Sequence, residues 1–561
     1  MPAENRATRR PLRVACVGGG PGGLFTAIAL AQAVPGSRID VFERNRATDV
    51  FGFGVVFSDA TLDTIDTVDP VLRDTLAAHG RHWDTITVRS KGTAPTAAGN
   101  GMAAVHRRTL LEALRRRAVA LGVSVHYETT VEVGELDRTG DYDLIVAADG
   151  ANSTTRERFA ATLGHTVTES AVAFIWFGTT FRFDGLTFLH RESEHGNFAV
   201  HAYPIGSGLS TFIVETDEAT RRRAGLDEFD TSRPPGPSDD RTRRYLEDLF
   251  ADDIDGHPLV ANNSRWANFR TRRTEHWTAA GPCGTPVALL GDAVHTAHFS
   301  VGSGTKMAME DAAVLAASLA AHPGDIAAAL DRFQRIRRPQ VDKIHHSSVP
   351  SLSWWDHFGE YHRCFEPWQF AFHFFSRAIS AEKIRLRDPA FVAATERAWV
   401  AAHGAPPLDT PLRIGDREFT TRLLRSIART PGALEFGDAK TTLVATDDAA
   451  PGAARLFTAP DIPGSSLRGS DLAALTAVAE HAPSAVVVHS GTALSRVLCA
   501  ERLRLHHGLP VIVADRPESV RERRAVGEPD CAATLVLAGR ADAVLFEPGA
   551  RHTDSEEGTT R

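Results

Sequence analysis

The chain has 561 residues, of which 43% are hydrophobic and 24% are charged, a composition typical of a soluble globular protein of roughly three to four domains. The formal net charge of −8 argues against a dedicated nucleic-acid-binding protein. The five cysteines include no CxxC pair, which argues against a disulfide framework or a zinc site and favours a reducing compartment.

The sequence contains neither a signal peptide nor a membrane-spanning segment that we can identify. The first residues lack an apolar stretch of the required length, and no run of about 18 apolar residues follows. We therefore expect a cytoplasmic protein that binds neither membranes nor nucleic acid.

The first predicted elements alternate between strand and helix. An apolar run at residues 12–17 predicts a buried strand, residues 24–33 have the apolar face of a helix, and residues 38–43 predict a second strand. A further buried strand is predicted at residues 143–148. This order is typical of a Rossmann-like α/β domain.

A glycine pattern lies between the first strand and the helix. Gly18, Gly20 and Gly23 form GxGxxG, in which the glycines permit a tight turn, the approach of a pyrophosphate and close packing of helix on strand. Glu43 ends the second strand, where a carboxylate can bind an adenosine ribose. The glycines alone could form a purely structural turn, but the strand, helix and Glu43 together predict a dinucleotide site.

Two further motifs follow predicted buried strands. Asp149 precedes a glycine after the strand at residues 143–148, and Gly291-Asp292 follows a strand at residues 286–290. Asp292 could bind ribityl hydroxyls, and the start of the next helix could face the pyrimidine edge of a flavin, where its N–H groups stabilise negative charge. Each motif alone could be an ordinary strand-end turn, but their order favours a flavin site. The residues at that helix start are Gly302, Ser303 and Gly304.

With their neighbours, the three motifs read GGGPGG, AADGANSTTR and LLGDAVH. They resemble the fingerprints of the single-component FAD aromatic hydroxylases, the para-hydroxybenzoate hydroxylase class, over about residues 12–345. The resemblance implies that FAD is the cofactor and NAD(P)H a transient reductant, and that a flavin C4a-hydroperoxide transfers oxygen from O₂ to an aromatic ring. It also implies further FAD contacts, at Arg44, Gly54, Val55 and, on the pyrophosphate, Arg107.

Three segments are similar to a subgroup that acts on aryl-CoA thioesters, which includes salicylyl-CoA 5-hydroxylase and 2-aminobenzoyl-CoA monooxygenase. They are FGFGVVFSD, TAHFSVGSGTKMAMEDA and WQFAFHFFSR. Phe299 and Lys306 stand where the general hydroxylase pattern has Pro and Asn, and both match the subgroup. The similarity implies hydroxylation of an aryl-CoA such as salicyloyl-CoA.

Candidate substrate-side residues follow from their positions. His298 could hold the substrate phenol or relay a proton, or it could be a hydrogen-bonded loop histidine. Phe299 lies beside it, between Asp292 and the helix. Lys306 could stabilise anionic flavin or a substrate carbonyl, or face solvent. The CoA phosphates need cations, and two arginine clusters could supply them: Arg221–Arg223, and Arg270 with Arg272 and Arg273. The alternative for each cluster is a solvated surface without a ligand.

Composition shifts predict the domain boundaries. The FAD-binding domain takes residues 1–165 and 276–345, and a β-rich, antiparallel substrate-binding domain is inserted between them at 166–275. An aromatic-rich helical segment follows at 346–404, then an α/β domain at 405–550 and a disordered tail at 551–561.

The C-terminal domain resembles the opening and closing strands of an old-yellow-enzyme barrel. Only about 150 residues remain for it, whereas an eight-stranded barrel typically needs ~250. We therefore expect a partial, degenerate TIM-barrel-like α/β domain without FMN, which covers substrate or forms a homodimer contact. A surviving FMN reductase is the alternative.

Other functions remain open at this stage. Related enzymes could epoxidise the ring with loss of aromaticity, add two oxygens, or hydroxylate a free phenolic acid. A catalytically dead flavoprotein that serves as a scaffold is the non-enzymatic alternative.

Overall fold

The computed structural model describes residues 10–232, 234, 236–302, 304–462, 464–515 and 529–546. The chain divides into two compact units, Met1–Asp356 and His357–Arg561, here called unit 1 and unit 2. Ser303 and the predicted disordered tail lie outside the described residues. In the described part of the chain, no helix combines the length and apolarity that crossing a membrane requires. The finer domain boundaries stay predictions.

The strands of unit 1 alternate with short helices in its first half and form long hairpins in its second. In chain order they are β1 (Arg13–Val17), β2 (Arg38–Phe42), β3 (Gly54–Ser58), β4 (Arg81–Trp83), β5 (Ile86–Ser90), β6 (Thr96–Ala97), β7 (Met102–His106), β8 (Ser124–His126), β9 (Leu144–Ala147), β10 (His165–Thr179), β11 (Leu186–Ser193), β12 (Gly196–Gly206), β13 (Leu209–Asp217), β14 (Leu259–Ala261), β15 (Ala267–Thr274), β16 (Thr278–Ala280) and β17 (Pro286–Leu289).

The α-helices of unit 1 include the two that carry the candidate cofactor motifs, α1 and α10. In chain order they are α1 (Pro21–Ala33), α2 (Asp59–Val68), α3 (Pro70–His79), α4 (Arg107–Ala120), α5 (Val133–Thr139), α6 (Thr154–Arg158), α7 (Ala160–Leu163), α8 (Glu218–Arg223), α9 (Asp240–Leu249), α10 (Gly304–Ala321) and α11 (Ile326–Cys364), which begins in unit 1 and ends in unit 2. Two short 3-10 turns also carry site residues, Gly291–Ala293 and Phe299–Val301.

The first sheet has the strand order β16-β17-β9-β1-β2-β8, with only β16 antiparallel to its neighbour. Its central strands β1, β9 and β17 are buried and apolar, as expected for a parallel sheet covered on both faces. Because these three strands are adjacent and parallel, their carboxyl ends lie at one edge of the sheet. The glycine turn, Asp149 and Gly291 follow those ends.

The second sheet, with the order β14-β10-β13-β12-β11-β5-β6, is mainly antiparallel and pairs β15 with β10. Its strands alternate between two faces. One, the core face, packs against α9 and the residue that follows it; its large side chains are Phe177, Phe198, Val200, Phe212 and Val214. The opposite face, here called the site face, carries Phe174, Trp176, His201, Tyr203 and Glu215.

A small antiparallel sheet, β3-β7-β4, joins the two larger sheets. Gly54 begins β3 where it meets the site face. A Cβ atom there would press on the side chains of Ile205, Thr211 and Tyr203, so glycine allows this close approach.

Unit 2 contains a closed barrel of the strands β20 to β26. The strands of unit 2 are β18 (Leu412–Ile414), β19 (Arg417–Phe419), β20 (Leu423–Thr430), β21 (Ala433–Gly437), β22 (Thr442–Thr446), β23 (Ala454–Thr458), β24 (Ala485–His489), β25 (Val511–Asp515) and β26 (Ala543–Phe546). Its helices after α11 are α12 (Pro367–Phe375), α13 (Ala381–Arg385), α14 (Pro389–His403), α15 (Gly469–Glu480), α16 (Ala493–Glu501) and α17 (Pro529–Leu537).

The barrel combines a hairpin-like start with a parallel remainder. Strands β20, β21 and β22 pair antiparallel, the strands from β22 to β26 pair in parallel, and β26 closes onto β20. Buried apolar side chains, among them Leu424, Phe436 and Val487, form its core. The predicted fold class is confirmed: a Rossmann-like domain, an inserted antiparallel sheet and a C-terminal barrel-like α/β domain. The absence of FMN stays a prediction.

Candidate active site

The glycine turn after β1 has room for a ligand on one side and none on the other. Gly18 has a φ of +105°, and its N–H donates to the carbonyl of Phe42 at 2.8 Å. A Cβ atom at Gly23 would overlap the carbonyl oxygen of Gly18, so helix α1 packs directly on the turn. A Cβ atom at Gly20, the residue before α1, would meet no described atom within 4 Å. The N-terminus of α1 is therefore open to a phosphate.

Glu43 lies beside this turn. Its Oε2 accepts from the N–H of Gly19 at 2.8 Å, and its Oε1 accepts from the backbone and side-chain nitrogens of Asn45 at 2.8 and 2.7 Å. Arg44 is exposed. Both carboxylate oxygens are thus engaged within the protein, and the contact of Glu43 with an adenosine ribose stays a prediction.

Two polar groups near the same edge of the sheet lack partners. Asp149 Oδ2 accepts from the N–H and hydroxyl of Thr155, whereas Asp149 Oδ1 is buried with no hydrogen bond to any described residue. Arg107, the first residue of α4, donates from Nη1 to the carbonyl of Phe51 at 3.2 Å, and its buried Nε has no partner in the described chain. Native proteins seldom leave buried polar atoms unpaired. The hydroxyls and phosphates of FAD would satisfy both, so these residues fit that cofactor.

Asp292 lies in the short turn Gly291–Ala293 after β17. Its side chain is exposed to solvent, yet surrounding protein raises the pKa of the carboxyl by burial, which the charges of His295 and Arg107 offset only in part. The start of α10 is close, because a Cβ atom on Gly304 would lie 3.9 Å from Asp292 Oδ1. Gly302 lies before α10 and has a φ of +60°. A Cβ atom built on it would meet no described atom within 4 Å. This combination of carboxylate and helix N-terminus suits the ribityl chain and pyrimidine edge of a flavin.

A buried charge network fixes the turn that carries Asp292. Asp311 Oδ2 accepts from the N–H of Gly291 at 2.9 Å and contacts His295 Nε2 at 2.8 Å. Asp311 Oδ1 accepts from Arg337 Nε at 2.8 Å, and Arg337 Nη1 donates to Glu310 at 2.9 Å. Burial alone would raise the pKa of the Asp311 carboxyl, but the charges of His295 and Arg337 and the hydrogen bonds it accepts lower it. The network thus acts on the site by positioning its backbone.

The predicted substrate-side residues His298 and Phe299 lie against the site face. His298 Nε2 is 3.1 Å from Glu215 Oε1, and His298 Nδ1 is 2.9 Å from the hydroxyl of Ser300. Glu215 Oε2 contacts His201 Nε2 at 2.8 Å. Phe299 is half-buried beside them, with its ring 5.1 Å from that of His201. Both ring nitrogens of His298 are therefore engaged within the protein.

The other predicted residues lie further from this group. Lys306 is half-buried on α10, with Nζ 3.8 Å from Glu310 Oε1. Val55 is buried in the core of the FAD-binding part, and Gly54 is packed against the site face. The roles assigned to these side chains stay predictions.

Sequence reasoning missed Glu215, His201 and Ser300. The signal that could have found the first two is the alternation along β12 and β13. Within each strand, a polar residue that alternates with apolar neighbours, as His201 and Glu215 do, faces away from the apolar side. Ser300 carries no such signal, because it lies in a short turn.

The two predicted arginine clusters differ in their surroundings. Arg270 and Arg272 line a cleft of about 510 Å³ together with Arg156 and His165. Arg270 pairs with Glu169 at 2.8 Å, whereas the buried Nε of Arg272 has no partner within the described ranges. The cluster Arg221–Arg223 forms the end of the short helix α8.

A Rossmann-like sheet with a glycine turn, unpaired polar atoms and a carboxylate beside a helix N-terminus defines a flavin dinucleotide site. Residues 12–348 match the family described as FAD binding domain, and this chain belongs to that family. It is an FAD-dependent aromatic monooxygenase that uses NAD(P)H, so the predicted class and cofactors are confirmed.

Three relatives illustrate the similarity. Salicyloyl-CoA 5-hydroxylase of a Streptomyces species is 50% identical over 539 residues, which are 95% of this chain and 99% of that protein. The 3-hydroxy-4-methyl-anthranilyl-[aryl-carrier protein] 5-monooxygenase of Streptosporangium sibiricum is 36% identical over 61% of this chain and 89% of that protein. Protodeoxyviolaceinate monooxygenase of Chromobacterium violaceum is 31% identical over 62% of this chain and 89% of that protein.

Asp292→Asn should weaken FAD binding by about tenfold or more, since a hydrogen bond to a charged group contributes about 1.5–3 kcal/mol. Fluorescence titration of the apoprotein with FAD measures this dissociation constant. Asp141→Asn, at an exposed position, is the control and should bind FAD like the wild type. Equal affinity of both variants would contradict the role of Asp292.

Proposed function

We propose that this chain hydroxylates the aromatic ring of an aryl-CoA thioester, of which salicyloyl-CoA is the first substrate to test. The observation that carries the proposal is the 50% identity that extends over 99% of salicyloyl-CoA 5-hydroxylase. The similarity continues through unit 2, so it covers more than the FAD-binding part. The aromatic site face supports an aromatic substrate.

In this proposal, bound FAD supplies the activated oxygen once NAD(P)H has reduced it. The protein binds, orients and desolvates the ring. Phe299 lies 5.0 Å from Phe174 and 5.9 Å from Phe269, measured between ring centroids, so an aromatic wall is available to the substrate. Such a wall excludes water, which would otherwise divert the activated oxygen to hydrogen peroxide. Lys306, near the start of α10, holds the substrate carbonyl or the anionic flavin.

The CoA phosphates require cations. Of the two arginine clusters, we favour Arg270 and Arg272, because they line a cleft. In the other cluster, Arg222 pairs with Glu218 within the same short helix, and both side chains are exposed to solvent. Such exposed ion pairs are common on protein surfaces that bind no ligand.

The cellular location and assembly belong to the same proposal. The cytoplasm, a reducing compartment, is the location we propose, because the sequence has only five cysteines and no CxxC pair. A homodimer is the assembly we propose, in which unit 2, without FMN, has a structural role.

The decisive experiment supplies the FAD-loaded protein with NAD(P)H, salicyloyl-CoA and isotopically labelled O₂, followed by mass spectrometry of the product. One labelled oxygen on an intact aromatic ring supports the proposal. Two labelled oxygens, or a ring that has lost its aromaticity, would support the alternative oxygenations instead.

Two comparisons sharpen that experiment. Free salicylate should stimulate NAD(P)H oxidation far less than its thioester, and equal stimulation would indicate a hydroxylase of free phenolic acids. Benzoyl-CoA, which lacks the activating hydroxyl, should bind without being hydroxylated. A yellow protein that oxidises NAD(P)H no faster with any aryl-CoA would favour a flavoprotein scaffold.

A further inference from the structure

A continuous chain of hydrogen-bonding side chains crosses the site face. The hydroxyl of Ser351 lies 3.0 Å from that of Ser300, and Ser300 Oγ lies 2.9 Å from His298 Nδ1. His298 Nε2 contacts Glu215 Oε1 at 3.1 Å, and Glu215 Oε2 contacts His201 Nε2 at 2.8 Å. Glu215 therefore bridges two imidazoles with its two carboxylate oxygens.

This chain is enclosed by aromatic rings. The side chains of Glu215, His298 and His201 are 1%, 1% and 4% exposed. The ring centroid of His201 lies 4.2 Å from that of Trp355 and 5.0 Å from that of Phe188. Burying a carboxylate is costly unless charge and hydrogen bonds compensate it, and apolar residues would avoid this cost. Buried titratable groups that are arranged in this way mark functional sites.

The direction of the hydrogen bonds can be inferred from His298. Its Nδ1 accepts from the backbone N–H of Ser300, so the neutral ring carries its proton on Nε2, which points at Glu215. The single lone pair on Nδ1 is shared with the hydroxyl of Ser300, whose oxygen is nearer, at 2.9 Å, than the backbone nitrogen, at 3.4 Å. Ser300 is half-exposed, whereas Ser351, His298, Glu215 and His201 are buried, so Ser300 is the member of the chain that a ligand can reach.

We propose that Ser300, His298 and Glu215 form a proton relay that removes the proton from the ring hydroxyl of the substrate. The inference rests on the proposed function, because it needs a hydroxylated aromatic ring beside Ser300. Ser300 touches the substrate, whereas His298, Glu215 and His201 act through it as positioning residues.

The proton transfer balances without any change in oxidation state. The O–H bond of the substrate breaks as its proton passes to Ser300 Oγ, while the proton of Ser300 passes to His298 Nδ1. The result is a phenolate and an imidazolium whose charge is stabilised by Glu215. The phenolate ring is the better nucleophile toward the activated oxygen, and the same proton returns to the product.

The charges around the relay suit this role. Burial would raise the pKa of the Glu215 carboxyl, but the charge of His201, the charge of His298 in its protonated form and the hydrogen bonds from both rings outweigh it and lower the pKa. Glu215 is therefore ionised at neutral pH. The titratable groups that face Glu215 are His201 on β12 and His298 in the loop after β17. His190 on β11 stacks on Trp355, which in turn contacts the ring of His201.

The test measures ionisation of the bound substrate directly, without turnover. FAD-loaded protein is saturated with salicyloyl-CoA in the absence of O₂ and NAD(P)H, and the phenolate absorbance is followed against pH. In the wild type, the bound phenol should ionise at a lower pH than in solution. Ser300→Ala and Glu215→Gln should each raise that midpoint by about one pH unit or more, a tenfold loss of ionised substrate.

Turnover provides a second readout that a merely structural role would not move. At neutral pH the two variants should hydroxylate about 100-fold more slowly. Their rates should recover as the pH approaches the pKa of the free phenol, because the substrate then needs no relay. Ser347→Ala and Glu192→Gln, at exposed positions of α11 and β11, are matched controls and should behave as the wild type.

Wild-type midpoints in both variants would overturn the relay. If Glu215→Gln fails to fold, Ser300→Ala still decides, because it removes a single half-exposed hydroxyl. If the wild type forms no hydroxylated product from any aryl-CoA, the proposed function and the relay fall together. If it forms product while the variants keep its midpoint, only the relay falls.

Discussion

Gly23→Ala should abolish FAD binding and lower the free energy of unfolding by about 3 kcal/mol, at the upper end of the usual cost of overpacking. The added methyl group would overlap the carbonyl oxygen of Gly18, so α1 must move away from the turn that it packs on. Gly20→Ala should behave differently. Its methyl group enters the open side of the turn, so the apoprotein should fold normally and lose FAD affinity only.

Two measurements separate these outcomes. Thermal unfolding of the apoproteins should show a lower Tm for Gly23→Ala and an unchanged Tm for Gly20→Ala. The visible flavin absorbance of the purified proteins should be absent in the first variant and reduced in the second. A Gly23→Ala protein with the FAD content of the wild type would show that this close contact does not control the site.

Asp311→Asn should lower the free energy of unfolding by about 3 kcal/mol at neutral pH, the lower end of the cost of breaking a buried ion pair, because the buried Arg337 keeps only Glu310 as a carboxylate partner. The pKa of Asp311 is lower in the folded protein than in the unfolded chain. Its contribution to stability is therefore complete above the unfolded-state pKa of about 4 and is lost as the pH falls through the folded-state pKa. The difference between wild type and variant should accordingly shrink in acid.

Urea unfolding of both proteins at neutral and acidic pH measures this difference. Asp331→Asn is the control, because Asp331 and Arg335 form an exposed ion pair at 3.0 Å, worth at most about 1 kcal/mol. A loss as small in Asp311→Asn as in the control would mean that the network around Gly291 is not a source of stability.

The parts of the fold that the sequence predicts well depend on local patterns. Apolar runs mark β1, β9 and β17, and the residues that follow each strand come together because parallel neighbours end at one edge of a sheet. The glycine turn, Asp149 and Asp292 could therefore be assigned to one region before any coordinates were known.

The parts that sequence reasoning missed depend on contacts between distant segments. Glu215 meets His201 through strand pairing and His298 through a loop 83 residues further on. Closure of the barrel pairs Leu423 with Val544, and a local pattern contains no information about such a pair. The short length of the C-terminal domain predicted a partial barrel. In the structure, the antiparallel strands β21 and β22 help to close the ring with few residues.

The alternation along β12 and β13 separates two tasks within single strands. The core face holds the sheet on α9 through residues 198, 200, 202, 212 and 214. The site face carries residues 201, 203, 213 and 215. A change at one of the latter positions can therefore alter which ring is accepted without disturbing the packing beneath. The sheet thereby separates the side chains that hold it on α9 from those that a change in substrate preference would alter.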